Sequence, residues 1–276
     1  MAKKWHLENI KNITCVTPTI CKLFKINPPS CSGKDIMQSL VEKTEEERIS
    51  QVKKCLFYAP DAIGTHFYRK YSNLFAELIQ YAPIDVNLYS VVPPKTPVCF
   101  ASMFTGAMPD VHGIREYKKP VLECDTLFDS LARSDKKVAI AAVANSSIDC
   151  IFRNRNIDYF SEIYDEQVTN RTIQLIEANK HDFIVAYHQE YDDALHKSTP
   201  ESETAIKAVK NHIESFVKMA KHCESAWGQY DRLIIFGPDH GAHINSDTGK
   251  GTHGEDIPED MEVTHFYGIY HSRQKP

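Results

Sequence analysis

A chain of 276 residues, 42% hydrophobic and 25% charged, has material for one large α/β domain and the make-up of an ordinary globular protein. Its formal net charge of −5 argues against a broad nucleic-acid surface, though it leaves room for a local basic pocket. No apolar run approaches the roughly 18 residues of a membrane span, and no apolar stretch follows Met1-Ala2-Lys3-Lys4-Trp5-His6, so the expectation is a cytoplasmic protein with no membrane partner.

In chain order, residues 17–26 predict a short helix with Pro18 in its first turn. Pro28-Pro29-Ser30-Cys31-Ser32-Gly33 is a break before a charged helix over 34–53, and 1–54 reads as a helical N-terminal segment of a single domain, 1–276. Cys55-Leu56-Phe57-Tyr58 suits a buried parallel strand. Apolar spacing of Phe67, Tyr71, Leu74, Phe75 and Leu78 predicts a helix over 67–79, and a strand follows at 86–92. Residues 97–105 predict a helix with Thr96 as N-cap and Pro97 at its first position. Helices at 125–133, 166–178 and 200–227 alternate with strands at 137–143, 182–187, 231–236 and 265–270. Such alternation predicts an α/β fold, a three-layer α/β/α sandwich around a mixed, largely parallel central sheet. The span between Ile114 and Tyr164 leaves space for no more than a small lid. The eight cysteines, at 15, 21, 31, 55, 99, 124, 150 and 223, form no CxxC pair and are expected to be reduced and mostly buried.

Carboxylates and imidazoles recur where these strands end. Asp61 follows Leu56-Phe57-Tyr58-Ala59, Asp192 and His196 follow Phe183-Ile184-Val185-Ala186-Tyr187, and Asp239-His240 follows Leu233-Ile234-Ile235-Phe236. His253 stands in the loop Gly249-Lys250-Gly251-Thr252-His253-Gly254. In α/β sheets, side chains at the carboxyl ends of strands converge on the ligand crevice. Three carboxylates and three imidazoles exceed the three protein ligands of a usual catalytic zinc, so two metals sharing one site is the working idea. Thr96 stands at a helix N-terminus, an anion site, where a cation would make its hydroxyl a nucleophile toward phosphorus.

Asp192 is preferred to Asp193 as a ligand because its spacing of four from His196 puts both on one helical face, leaving Asp193 solvated. His243 is read as a substrate contact or loop cap, His188 as a group orienting Asp192 or His196, and His112 as structural. Lys95 is a candidate contact for substrate phosphate against the plainer reading of an exposed lysine.

Together these residues resemble the alkaline phosphatase superfamily, in particular its type I phosphodiesterase/nucleotide pyrophosphatase branch. Thr96, Thr105-Gly106 and Pro109…His112-Gly113-Ile114 reproduce the branch's nucleophile segment. Asp192…His196, Asp239-His240-Gly241 and His253-Gly254-Glu255-Asp256 match its metal motifs in order, and Asp61 matches its first metal carboxylate. The resemblance implies that Asp192, His196 and His253 hold one metal, and that Asp61, Thr96, Asp239 and His240 hold the other, with Thr96 as nucleophile. It implies a two-metal phosphohydrolase acting on a small phosphodiester or phosphomonoester through a phospho-threonine. A phosphonate hydrolase, a phosphomutase and a non-catalytic metal-binding protein are the alternatives; a sulfatase would need cysteine or serine where Thr96 stands. Zinc is preferred for the three imidazoles, with manganese, iron or magnesium as alternatives because four of the seven ligands are oxygen.

The chain departs from the branch twice. Cys99 stands where the branch usually has an asparagine that helps bind the phosphoryl oxygen, and a thiol is a weak donor. The branch's "P-T-I…L-L-G-I" helix follows its last metal histidine, whereas here the similar string Thr17-Pro18-Thr19-Ile20-Cys21-Lys22-Leu23-Phe24-Lys25-Ile26 comes first. The expectation is a circular permutation, which neighbouring chain ends make tolerable. Packing of 17–26 far from the C-terminal strand would refute it.

Overall fold

The computed structural model describes residues 11–273, so positions 1–10 of the expected N-terminal segment lie outside the described residues. In chain order the elements are β1 (Lys11–Asn12), α1 (Val16–Phe24), α2 (Gln38–Glu46), β2 (Lys54–Pro60), α3 (Thr65–Lys70), α4 (Ala76–Tyr81), β3 (Ile84–Tyr89), α5 (Thr96–Thr105), α6 (Pro109–His112) and α7 (Leu127–Arg133). They continue as β4 (Val138–Val143), α8 (Ser147–Ile151), β5 (Asp158–Glu162), α9 (Asp165–Ala178), β6 (Phe183–His188), α10 (Glu190–Lys197), α11 (Glu203–Ala226), β7 (Arg232–Phe236), β8 (His243–Ile244), β9 (Gly251–Thr252), α12 (Pro258–Met261) and β10 (Glu262–Tyr270).

One eight-stranded sheet runs β1-β3-β10-β7-β2-β6-β4-β5, and β8 with β9 forms a separate small ribbon. Every pairing in the large sheet is parallel except those of β10, which is antiparallel to both β3 and β7. The sheet is therefore mixed and largely parallel, as expected. β2 shows why both faces are covered: its seven residues are all buried, with Cys55, Phe57 and Ala59 entering one apolar cluster and Leu56 and Tyr58 the other. The first cluster packs under α1, α5, α7 and α8, the second under α3, α9, α10 and α11, giving three layers.

Local chemistry moves several boundaries from their expected places. The charged helix over 34–53 contracts to α2, because Glu45, Glu46 and Glu47 crowd its negative end and Arg48 turns left-handed at φ 57°. The helix over 67–79 breaks at Tyr71 (φ −115°, ψ 34°), and Ser72–Phe75 forms a 3-10 turn before α4. The strand at 86–92 becomes β3, which ends before Pro93 and Pro94, where no ladder donor exists. Thr126 caps α7 through a reciprocal box with Asp129, shifting the start from 125. β5 and α8 are additions to the expected elements. Among the eight cysteines none is paired; Cys31, Cys124 and Cys150 are half-buried and the other five are buried.

The N-terminal segment opens with strand β1 beside β3, so it is not wholly helical. It then packs on the helix that follows β3, with Thr17 Oγ1 donating to Met103 O at 2.7 Å and Gly33 N to Gly106 O at 2.8 Å. In the sheet β1 stands one strand from β10, across β3, and α1 belongs to the large apolar layer on the face that also takes in Tyr267 and Ile269 of β10.

Candidate active site

The central strands β7, β2 and β6 lie side by side, and all three point their carboxyl ends the same way. Asp61 leaves β2 with its amide bonded to His188 O at 3.0 Å, while the Ala62 amide donates to Asp239 Oδ1 at 3.2 Å. Beyond β7, Ser90 Oγ donates to Asp239 O at 2.7 Å and fixes that turn. Only glycine can follow His240, because a Cβ on Gly241 would stand 2.0 Å from Glu259 O. Asp192 and His196 sit one turn apart on α10.

His253 arrives on the loop after β9, which buried Asp260 secures. Its Oδ2 accepts the amides of Gly254 (2.8 Å) and Glu255 (2.9 Å), and its Oδ1 accepts His243 Nδ1–H at 2.8 Å. Gly254 adopts φ 121°, a conformation side chains rarely take, and the stem of Lys95 lies against it.

These elements gather two triads, Asp61–Asp239–His240 and Asp192–His196–His253, within each of which the donor atoms lie within 4.8 Å of one another. All six sequence-predicted side chains fall into the expected pairing. His240 Nε2 is 3.5 Å from Asp61 Oδ1 and 3.3 Å from Asp239 Oδ2. In the other triad Asp192 Oδ1 is 3.2 Å from His196 Nε2 and 3.4 Å from His253 Nε2. The triads adjoin, since the rings of His240 and His253 stack with centroids 4.0 Å apart. Thr96 Oγ1 lies 3.4 Å from both Asp61 Oδ1 and His240 Nε2.

Each imidazole uses Nδ1 on a backbone carbonyl: His196 on Gly251 O (3.1 Å), His240 on Gly241 O (2.9 Å) and His253 on Pro94 O (2.9 Å). A proton fixed on Nδ1 leaves the Nε2 lone pair free as a ligand. Asp192 Oδ1 and Asp239 Oδ2 are buried without a hydrogen-bond partner. Burial, followed by the charges of Asp239 and Asp192, drives the Asp61 carboxyl well above its usual range, and burial does the same to Asp239. Burial and the nearby His253 push the His240 imidazole well down, so it is neutral. Orphaned carboxylate oxygens, aimed lone pairs and crowded negative charge fit a pair of divalent cations.

Thr96 begins α5 rather than capping it. Lys95 is the N-cap, and the Thr96 hydroxyl turns toward Asp61 and His240 instead of bonding an amide of its own helix. The expected anion site at this N-terminus is weaker than the helix end suggested. Pro97 has no amide proton, and the Val98 and Cys99 amides both turn back to Lys95 O at 2.9 Å. Cys99 is fully buried, with its sulfur 3.1 Å from Ser90 Oγ, whose one proton goes to Asp239 O.

Asp193 is not simply solvated: it accepts Tyr164 O–H at 2.7 Å. His188 faces away from both triads, its Nε2 lying 2.9 Å from Thr169 Oγ1 and 3.0 Å from Asp165 O. The strand's alternation sends it to the α9 side, so it orients neither Asp192 nor His196. His112 holds its loop, with Nε2 2.8 Å from Ser102 Oγ and Nδ1 accepting the Ile114 amide. His243 braces the His253 loop through Asp260 and lies 3.4 Å from Glu255. Sequence reasoning missed Tyr187, whose hydroxyl donates to Asp61 Oδ2, as well as Asp260 and Ser90. Tyr187 was hidden in an apolar strand run, and Asp260 carries no motif.

The model of the family described as Type I phosphodiesterase / nucleotide pyrophosphatase matches residues 60–268. No curated protein matches the chain. Among solved structures, phosphonoacetate hydrolase from Sinorhizobium meliloti 1021, in complex with phosphonoacetate, is similar at 14% identity and TM-score 0.53, over 71% of this chain and 59% of that one. Human ectonucleotide pyrophosphatase/phosphodiesterase 5 is similar at 15% identity and TM-score 0.57, over 70% of this chain and 58% of that one. A 2-O GAG sulfatase is similar at 13% identity and TM-score 0.56, over 82% and 66%. The chain thus spans less than three fifths of the length of the first two proteins. At these identities the likeness is one of fold.

Proposed function

From its membership of the type I phosphodiesterase/nucleotide pyrophosphatase family, to which this chain belongs, we propose that it is a metal-dependent phosphohydrolase cleaving a small phosphodiester or phosphomonoester through Thr96. The observation that carries the reading is the Thr96 hydroxyl, 3.4 Å from both Asp61 Oδ1 and His240 Nε2 and beside the second triad. Asp61, Asp239 and His240, with Thr96, would hold one divalent cation, and Asp192, His196 and His253 the other. Such a pair lowers the pKa of a hydroxyl and draws charge from phosphoryl oxygens.

The residues of the chain set the geometry. Ser90 and Ala62 hold Asp239, Asp260 holds the His253 loop, and the start of α5 aims Thr96 Oγ1. Thr96 Oγ1 would attack phosphorus, the ester bond to the leaving alcohol would break, and water would then cleave the phospho-threonine. Because the Val98 and Cys99 amides are engaged on Lys95 O, the side chain that would meet phosphoryl charge is Lys95, whose stem runs past Gly254 beside His253. His243 and Cys99 are kept as lesser substrate candidates, the first partly accessible and the second behind Ser90. Zinc is the first choice of metal, since neutral imidazoles supply three of the ligands.

We also propose a permuted single-domain order, supported by β1 standing one strand from β10 in the sheet, and a reducing, cytoplasmic setting, supported by eight unpaired thiols. No helix among the described residues is long and apolar enough to cross a membrane. The test is a screen of nitrophenyl phosphodiesters, monoesters and phosphonates on protein reconstituted with zinc, manganese or magnesium. Turnover of a phosphate ester that a chelator abolishes is expected. Two bound cations without turnover of any ester would replace the enzyme reading with a binding protein.

A further inference from the structure

We infer that Tyr187 is a positioning residue of this centre, its hydroxyl holding one oxygen of Asp61 so that the other faces Thr96 and His240. The inference rests on the two-cation reading of the site.

Register places the tyrosine. β6 pairs with β2 so that Tyr187 stands opposite Ala59, two residues before Asp61, and the Asp61 amide bonds His188 O just beyond. Asp61 is therefore tied to β6 twice, by its backbone and by its side chain. The Tyr187 hydroxyl donates to Oδ2, while Oδ1 lies 3.4 Å from Thr96 Oγ1 and 3.5 Å from His240 Nε2. The two oxygens are thereby sorted, one to the protein and one to the site. A neutral phenol suits that task, since it donates to an ionised carboxylate without adding a charge that would repel a cation.

The tyrosine is itself held. It is 2% exposed, and the ring of Phe100 meets it edge-on, with centroids 5.6 Å apart and planes at 87°. Phe100 lies one turn below Thr96 on α5, so Tyr187 touches the layer that carries the nucleophile and the carboxylate beside it. A phenylalanine would fill the same space. What the tyrosine adds is one hydroxyl, and its hydrogen-bond partner is Asp61.

The test strips the full chain with chelator and titrates Co²⁺ against a competing chromophoric chelator, for the native protein and for Tyr187→Phe. Removing such a supporting hydrogen bond should weaken one cation by about 10–100-fold and leave the other unchanged. In an Asp192→Asn background, where Asp61–Asp239–His240 is the intact triad, the loss should persist. In an Asp239→Asn background it should vanish. The melting temperature of the metal-free protein should not fall, which separates positioning from packing. Should Tyr187→Phe fold poorly, 3-fluorotyrosine at 187 keeps the donor and should keep native affinity for both cations. Equal affinities in native protein and Tyr187→Phe, or equal weakening of both cations, would overturn the inference. A native protein that takes up no cation pair would instead overturn the reading on which it rests.

Discussion

The two ligand triads share one mouth of the sheet but are built from different material. Asp61, Asp239 and His240 are at most 2% exposed and hang from strand ends in the middle of the sheet. Asp192 and His196 have 18% and 42% of their side chains exposed, and they come from a helix that meets the loop after β9. The consequence is electrostatic. In the buried triad, desolvation drives both carboxyl groups up, and the Tyr187 hydroxyl and the His253 charge do not bring Asp61 back to its usual range. In the outer triad burial also acts on Asp192, yet the adjacent imidazoles of His196 and His253, which its carboxylate shifts toward the charged form, leave its carboxyl below the usual range. One triad is thus strained when bare and the other is not, which makes the inner triad the place where a cation changes stability most.

The sharpest break in that comparison is at its shared neighbour. Thr96→Ala should lower turnover of a nitrophenyl ester by at least about 10³-fold, as loss of a nucleophile does elsewhere. Cation uptake at the outer triad should persist, and the melting temperature should stay near native because Thr96 caps no helix amide. Near-native turnover would remove Thr96 from the chemistry.

Next in size is a pair of opposite effects in chelated protein at neutral pH. Asp239 has a native pKa raised above its unfolded value of 3.8, so its contribution to stability falls as pH rises above 3.8. Asp239→Asn should therefore raise the melting temperature, at about 2–4 °C per kcal/mol recovered for a chain of this size class. Asp192 has a lowered native pKa, so its stabilisation is present above 3.8 and disappears as pH falls below it. Asp192→Asn should lower the melting temperature at neutral pH and change little in acid. A melting temperature that moves the same way in both variants would erase the distinction.

The smallest expected effect is at Asp260, which touches neither triad. Asp260→Asn should weaken the outer cation by about 10-fold through a loosened His253 loop and leave the inner cation unchanged. A titration in which the inner cation weakened instead would mean that the loop is held by other contacts.

Much of this centre was legible before any coordinates. Asp61, Asp192 and Asp239-His240 follow apolar runs, and apolar runs in an alternating chain become parallel strands whose ends meet. The reading failed where local and tertiary preferences compete. The helix over 67–79 had the right apolar spacing, but Tyr71, Ser72 and Asn73 let the chain bend so that Phe67 and Phe75 could reach different aromatic partners. His188 looked like a support for the ligands that follow it, yet one step of strand alternation carries it to the opposite face.

The order of residues alone placed Asp61, Asp192 and Asp239-His240 at the ends of strands, because hydrophobic pattern sets where strands stop; their division into two groups came from the resemblance to the family's motifs. Only the tertiary structure decided how each ligand is aimed. Which imidazole nitrogen is free depends on carbonyls such as Pro94 O, 159 residues away from the His253 side chain it binds, and which Asp61 oxygen faces the site depends on a tyrosine 126 residues on. Those contacts are between neighbours in space, and no local spacing encodes them.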